Sequence, residues 1–247
     1  SSLGVSYTVT TIGIEAFKDC INLLSVTIPD SVTSSIGYRC FFRCNKLKSV
    51  IIGNSVTSIG EAAFHTCGML VSVDIPNSVT YIDIDAFRIC YSLKTVTIGT
   101  GVTSIGDYAF YGCTSLTTVT IPNSVTTIGD SAFNICNELS EFFVESSNAN
   151  FIDIEGVLFN IDKTTLIQYP IAKVQSQYTI PDSVTTIGPN AFYQCTNLTD
   201  ITNGNNVTTI DHYAFYECTN LSDFTIGNNV ASIGNYAFFD CKNLSVV

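Results

Sequence analysis

Ten cysteines in 247 residues are the first chemistry this chain offers. Nine of them, Cys20, Cys44, Cys67, Cys90, Cys113, Cys136, Cys195, Cys218 and Cys241, mark a period of 23 residues. Thiols at one equivalent site per repeat are expected to form a column inside a stack. Neighbouring rungs of such a stack lie ~4.8 Å apart. Parallel Cβ vectors then hold the Cβ atoms further apart than the ~3.8 Å a disulfide prefers, so free, buried thiols are expected. Cys40 is the exception, standing where other repeats place Ala16, Ala63, Ala86 or Ala109. No CxxC pair or adjacent histidine completes a zinc ligand set. The two histidines, His65 and His212, fall in distant repeats, whereas a catalytic pair must meet in space with an orienting third group. There is no nucleophile elbow, phosphate loop or carboxylate pair. Asp153, Glu155 and Asp162 lack the spacing of a calcium loop. The expectation is a chain without catalytic residues, metal or cofactor.

The elements that position these residues are read from the repeat itself. Residues 109–128, AFYGCTSLTTVTIPNSVTTI, give the general form A-F-x-x-C-x-x-L-x-x-V-x-I-P-x-S-V-x-x-I-G. A fixed period of this length with fixed apolar positions is the signature of a solenoid, in which each unit buries its apolar face only by stacking on neighbours. Leu116, Val119 and Ile121 alternate as in a short strand with one buried face, and the intervening threonines favour that conformation. Pro122, or a glycine in other repeats, ends the strand because proline donates no ladder hydrogen bond. Asn123 and Ser124 are turn chemistry. Val125 and Ile128 return to the core on the other side, and Gly129 opens a bend into one expected helical or 3-10 turn over Ala132, Phe133 and Cys136.

Composition limits the partners. Hydrophobic residues make up 46% and charged residues 13%, with mean hydropathy +0.32. The apolar residues are spread through every repeat and never form the ~20-residue run of a spanning helix, so membrane insertion is not expected. The net charge of −11, from 21 acidic and 10 basic residues, argues against nucleic acid, which needs clustered Lys and Arg.

The repeat has three irregularities. Residues 32–36 carry one extra residue, expected to bulge outward. Asn203 replaces the usual isoleucine, so its rung should be distorted or its amide bonded internally. Phe142 and Tyr178 stand 36 residues apart where 23 is normal. Between them, residues 156–160 and 165–169 flank a polar turn and read as a β-hairpin ended by Pro170. The division is therefore repeats over 1–143, an irregular island over 144–177, and repeats over 178–247. Residues 1–19 enter in mid-repeat, and residues 244–247 stop where a strand would begin, so a segment of a longer protein is expected.

With its C-x-x-L-x-x-V-x-I-P-x-S-V-x-x-I-G-x-x-A-F unit, the chain resembles the BspA-like class of leucine-rich repeats over essentially its whole length. The resemblance implies an α/β-type leucine-rich-repeat solenoid, right-handed, with a parallel β-sheet on the concave side and short strands and helical turns on the other. It further implies a cell-surface or secreted adhesin that contacts host cells or extracellular-matrix proteins. The alternatives are a structural spacer displaying another domain, or an accessory region of a secreted enzyme.

On that frame the outward strand positions are the fifth and seventh after each cysteine. They include Ser72, Asp74, Thr95, Thr97, Thr118, Thr120, Glu141 and Phe143, a hydroxyl-rich face suited to a partner protein or a glycan. Threonine at exposed strand positions is equally explained by β-propensity. Phe143 is either an interface anchor or a side chain covered by the hairpin, and cover is the expectation. A second row, Tyr111, Tyr193 and Tyr216, suits recognition, but stacking between rungs accounts for it without a ligand.

Overall fold

The computed structural model describes residues 8–245. Each repeat makes one turn of a solenoid, and its register follows from where the apolar side chains can meet. On the first face, strands of two to four residues lie parallel and in register. Ser25–Thr27, Ser49–Ile51, Ser72–Asp74 and Thr95–Thr97 form one sheet, Thr118–Ile121 and Glu141–Val144 a second, and Gln177–Thr179, Asp200–Thr202 and Asp223–Phe224 a third. A second face carries two-residue strands: Ser58–Ile59, Tyr81–Ile82, Ser104–Ile105 and Thr127–Ile128. Between the faces runs the core column, in which Phe110, Cys113, Leu116, Val119, Ile121 and Val125 are all fully buried.

The third side of each rung is not helical. No helix occurs among the described residues, and the expected helical turn is corrected to a chain of tight turns. Residues 106–113 show why. The amides of Tyr108, Phe110 and Gly112 donate to the carbonyls of Asp130, Ala132 and Asn134 in the next rung, at 3.0, 2.8 and 2.9 Å. The alternate amides of Ala109, Tyr111 and Cys113 close local bonds to Gly106, Tyr108 and Phe110. A helix would send every amide along its own axis; here every second donor is committed to a neighbour. The alternation requires left-handed backbone at two places per rung, five residues and one residue before each cysteine, as at Tyr108 (φ 56) and Gly112 (φ 72). Nearly all of these residues are not glycine, at ~1–2 kcal/mol each.

The cysteines are free thiols, and the expectation that they are buried is corrected at the two ends of the column, where Cys20 is exposed and Cys241 half-buried. Cys113 Sγ donates to the Phe87 carbonyl at 3.3 Å, Cys136 to Phe110 at 3.3 Å and Cys218 to Phe192 at 3.0 Å. Each of these carbonyls already accepts the amide of its own rung's cysteine, so the thiol occupies the second lone pair. Beside the thiols the phenylalanine rings stack from Phe17 through Phe41, Phe64, Phe87 and Phe110 to Phe133. Their centroid spacings run from 5.1 to 5.4 Å and no pair is tilted by more than 8°.

The bend between the faces has its own ladder. Thr103 uses both its amide (2.9 Å) and its hydroxyl (3.0 Å) on the Thr80 carbonyl, and Thr126 does the same to Thr103. Ser78 and Ser124 hydroxyls reach the carbonyls of Val56 and Val102, both at 2.7 Å. The extra residue before Ile36 is accommodated as expected: Ser35 is exposed, and the second-face strand shrinks to single bridges of Ile36 with Ile12 and Ile59.

The island is larger than a hairpin. Phe151–Ile154, Val157–Asn160 and Thr165–Gln168 form an antiparallel meander. Its last strand pairs in parallel with Thr186–Ile187, so the island ends as a rung. Buried Asn148 anchors the entry, donating to the carbonyls of Pro122 (2.7 Å) and Val125 (3.1 Å) and accepting from the amides of Asn150 and Phe151. Tyr169 takes the phenylalanine place, stacking on Phe192 at 5.2 Å. Of the two outcomes expected at Asn203, the internal bond is not made, because both of its amide atoms are shut from solvent without a partner, and the rung is distorted, the next strand pairing over only Asp223–Phe224.

Two stability changes follow. The Tyr169 hydroxyl is buried and unpartnered, and an unsatisfied buried polar group costs about 1–3 kcal/mol. Tyr169→Phe, which restores the residue of the other rungs, is therefore expected to raise unfolding stability by about 1 kcal/mol in a urea titration. Thr66 is β-branched at φ 61, where Gly112 stands one repeat pair later. Thr66→Gly is expected to gain about 1 kcal/mol by relieving left-handed backbone; a loss would mean that its packing outweighs the strain.

Candidate partner-binding faces

The parallel register of the first face places the expected residues in adjoining rows. Ser72 lies beside Thr95 and Asp74 beside Thr97, while Thr118 lies beside Glu141 and Thr120 beside Phe143. All eight side chains are exposed. The pleat explains this: Val73, Val96, Val119 and Phe142 point into the core, so the residues on either side of them must point out. Thr97 Oγ1 donates to Asp74 Oδ1 at 2.7 Å. Phe143 is 47% exposed, so the expectation that the hairpin covers it is corrected. The island's turn instead approaches its neighbour: a Cβ on Gly156 would stand 3.1 Å from Glu141 Cβ. Lys173, almost fully buried, donates to the Glu155 carbonyl at 2.6 Å and secures that turn. At the other edge of the patch Ile51 is 63% exposed.

On the turn side, the position two residues before each marking cysteine forms a row: Lys18, Phe42, His65, Arg88, Tyr111, Asn134, then Tyr193, Tyr216 and Phe239. Stacking explains the C-terminal half of it, with Tyr193 on Tyr216 at 4.9 Å and Tyr216 on Phe239 at 5.0 Å. Tyr111 is different. It meets Tyr108 edge-on at 5.7 Å and carries the Arg88 guanidinium 4.8 Å over its ring. Arg39 sits likewise over Tyr38 and Phe42. Tyr111 and Tyr193 do not stack, because the rung of Asn134 and the island rung both stand between them. Sequence reading passed over Asn134 and Asn190, which lie beside these tyrosines; laying the turn segments one above another would have found both.

Burial keeps the inner thiols in the neutral form. Burial pushes the Cys90 and Cys136 thiols up to about 12, and Cys113 well above its ordinary value of 9.0. Among the described residues, no group of three or more His, Cys, Asp or Glu side chains comes together to hold a metal. Asp153 is occupied structurally, its Oδ1 accepting from the Val144 amide at 2.8 Å. What the surfaces offer is contact: hydroxyls and carboxylates on the first face, aromatic rings and amides on the turn side.

The pattern of a BspA type leucine rich repeat region matches residues 1–100, 57–173 and 169–247, in six copies. The chain belongs to the BspA-type leucine-rich-repeat family. This BspA-type chain is also similar to solved bacterial structures. A leucine rich cell surface protein from Faecalibacterium prausnitzii A2-165 shares 30% identity, with TM-score 0.78 over 100% of this chain and 79% of that one. The pneumococcal vaccine antigen PcpA shares 26% identity, with TM-score 0.73 over 83% of this chain and 51% of that one. A leucine-rich repeat protein from Eubacterium ventriosum shares 26% identity, with TM-score 0.62 over 82% and 73%. Among curated proteins none matches.

One residue of the row makes stability depend on pH. Both ring nitrogens of His65 are buried without a partner, and the ring lies 4.9 Å from Phe42. Burial, helped by Arg88 and Arg39 and opposed by Asp85, lowers its pKa from the ordinary 6.5. The unfolded chain therefore takes up this proton first, and stability falls as pH drops below about 6.5 towards the lower folded value. Phe42 and Phe239 occupy the same place in their rungs, so His65→Phe fits the row. Urea midpoints at about pH 7.5 and 5.5 should show a smaller acid loss in the variant than in the parent chain; equal losses would rule His65 out as the source.

Proposed function

We propose that this chain is a non-enzymatic binding segment of a bacterial cell-surface or secreted protein, and that its first face contacts a host protein such as an extracellular-matrix component or a surface receptor. The observation that carries the reading is the patch running from Ser72 and Asp74 through Thr95, Thr97, Thr118 and Thr120 to Glu141 and Phe143. These exposed residues stand on four neighbouring strands and are fixed by backbone ladders beneath them. A surface held this rigidly loses little conformational entropy when a partner docks. Phe143 and Ile51 provide apolar anchors at its edges, and the hydroxyls between them supply the polar contacts. The likeness to a leucine rich cell surface protein and to a vaccine antigen supports exposure at the cell boundary.

The test is binding of the purified chain to matrix proteins and to epithelial cells, beside a variant carrying Thr97→Arg and Thr120→Arg. Both positions are outward and hold no core side chain, so the variant should unfold like the parent. The expected result is saturable binding, weakened at least about tenfold by the two arginines, roughly 1.4 kcal/mol. Binding unchanged by the variant would move the site off this face. No binding by either chain would leave the repeat array as a spacer holding another domain away from the cell.

A further inference from the structure

The island leaves a notch in the turn side. From the second-face isoleucine to the core aromatic, an ordinary rung takes five steps, as from Ile128 to Phe133. The island rung takes three, from Leu166, which pairs with Ile187, to Tyr169. The two residues it lacks belong to the segment that projects outward in its neighbours, and Pro170 stands at the row position where Tyr111 and Tyr193 carry rings. The result is a cleft of about 260 Å³, with Tyr108 and Tyr111 on one wall, Tyr193 and Tyr213 on the other, and Asn134 and Asn190 between them.

We propose that this cleft binds a single neutral pyranose ring, such as the terminal residue of a glycan. Three features of the site suit that ligand. The cavity lies just under the ~300–1,000 Å³ of drug-sized ligand pockets, which fits one sugar ring better than a peptide. Its walls are tyrosines, whose rings pack against the apolar C–H face of a pyranose while their hydroxyls reach the sugar's own. Its floor holds a prepared amide. Asn134 is only 4% exposed, donates to Ser131 Oγ at 3.1 Å and accepts from Gln168 Nε2 at 3.3 Å. Its second amide proton has no protein acceptor, and the residue lines the cleft. Asp130 and His212 complete the rim. With a carboxylate at the mouth and a net charge of −11, an anionic sugar is disfavoured. Burial, together with Tyr111 and Glu217, raises the Tyr193 hydroxyl to about 12, so it remains a hydrogen-bond donor at neutral pH.

The experiment is saturation-transfer difference NMR of the purified chain with methyl β-galactopyranoside, methyl α-mannopyranoside and methyl N-acetyl-β-glucosaminide. Each is used at about 20 mM, suited to a millimolar Kd, with the methyl glycoside of sialic acid as the anionic control. Two variants test the cleft. Tyr193→Ala removes one wall. Asn190→Arg fills the space, and the backbone should accept it because Arg39 stands at the same left-handed position of its own rung. The expected result is transfer to at least one neutral glycoside and none to the sialoside. That signal should be lost or at least about tenfold weaker in both variants, yet kept in the Thr97→Arg, Thr120→Arg chain. If melting shows Tyr193→Ala unfolded, Asn190→Arg alone decides. No transfer to any neutral glycoside, equal transfer to the sialoside, or a signal that survives in a folded cleft variant overturns the proposal. Because the first-face double variant is scored separately, this failure is distinct from a failure of the protein-binding reading.

Discussion

Everything in this molecule depends on a backbone hydrogen-bond ladder that runs perpendicular to the chain, from each rung to the next. A rung of 23 residues is too short to bury an apolar face by itself. Its backbone amides must also find acceptors, since a buried donor without one costs about as much as a lost bond. Both needs are met by placing equivalent residues directly above one another at one strand spacing. Identity between repeats is then a physical requirement: a phenylalanine fills its place best when the rungs above and below offer a ring at about 5 Å, as Phe64 and Phe110 do for Phe87.

The same ladder explains residue choices that look arbitrary in one repeat. Cysteine marks the period because the site is buried, small and next to a carbonyl with a spare lone pair. A thiol fills that volume and donates weakly to the Phe carbonyl of the rung before, where alanine would make no bond. Threonine at the bend offers its hydroxyl to the carbonyl its amide already uses. The price is left-handed backbone at two places in every cysteine-marked rung, strain of ~1–2 kcal/mol per non-glycine residue. It persists because the alternating amides it creates are locked into the neighbouring rung.

The two surfaces proposed for binding lie where the repetition is broken or turned outward. The first face is a by-product of the pleat, and its chemistry varies freely because its side chains do not enter the core. The island substitutes a meander for an ordinary rung and restores the stack through Tyr169, but it does not restore the outward turn. An insertion that is conservative for the core, keeping one aromatic ring in line, thereby interrupts the surface row between Tyr111 and Tyr193.

By itself the sequence determined the solenoid, its period, the buried column and the outward set on the first face, because these follow from which residue types recur at which spacing. It also located the break and one of its hairpins. Tertiary structure alone decided the turns, because helix and turn chain share the same local pattern and differ only in whether the amides of Tyr108, Phe110 and Gly112 bond within the rung or to the next. It decided that Phe143 stays open to solvent, since cover depends on where the island's turn comes to rest against Glu141. It decided that the Asn203 amide finds no partner, although a bonded amide was equally compatible with the pattern. The tyrosine-walled notch belongs to the same class. Its walls are 82 residues apart, from Tyr111 to Tyr193, and only the stacking of an abbreviated rung between them opens a cleft.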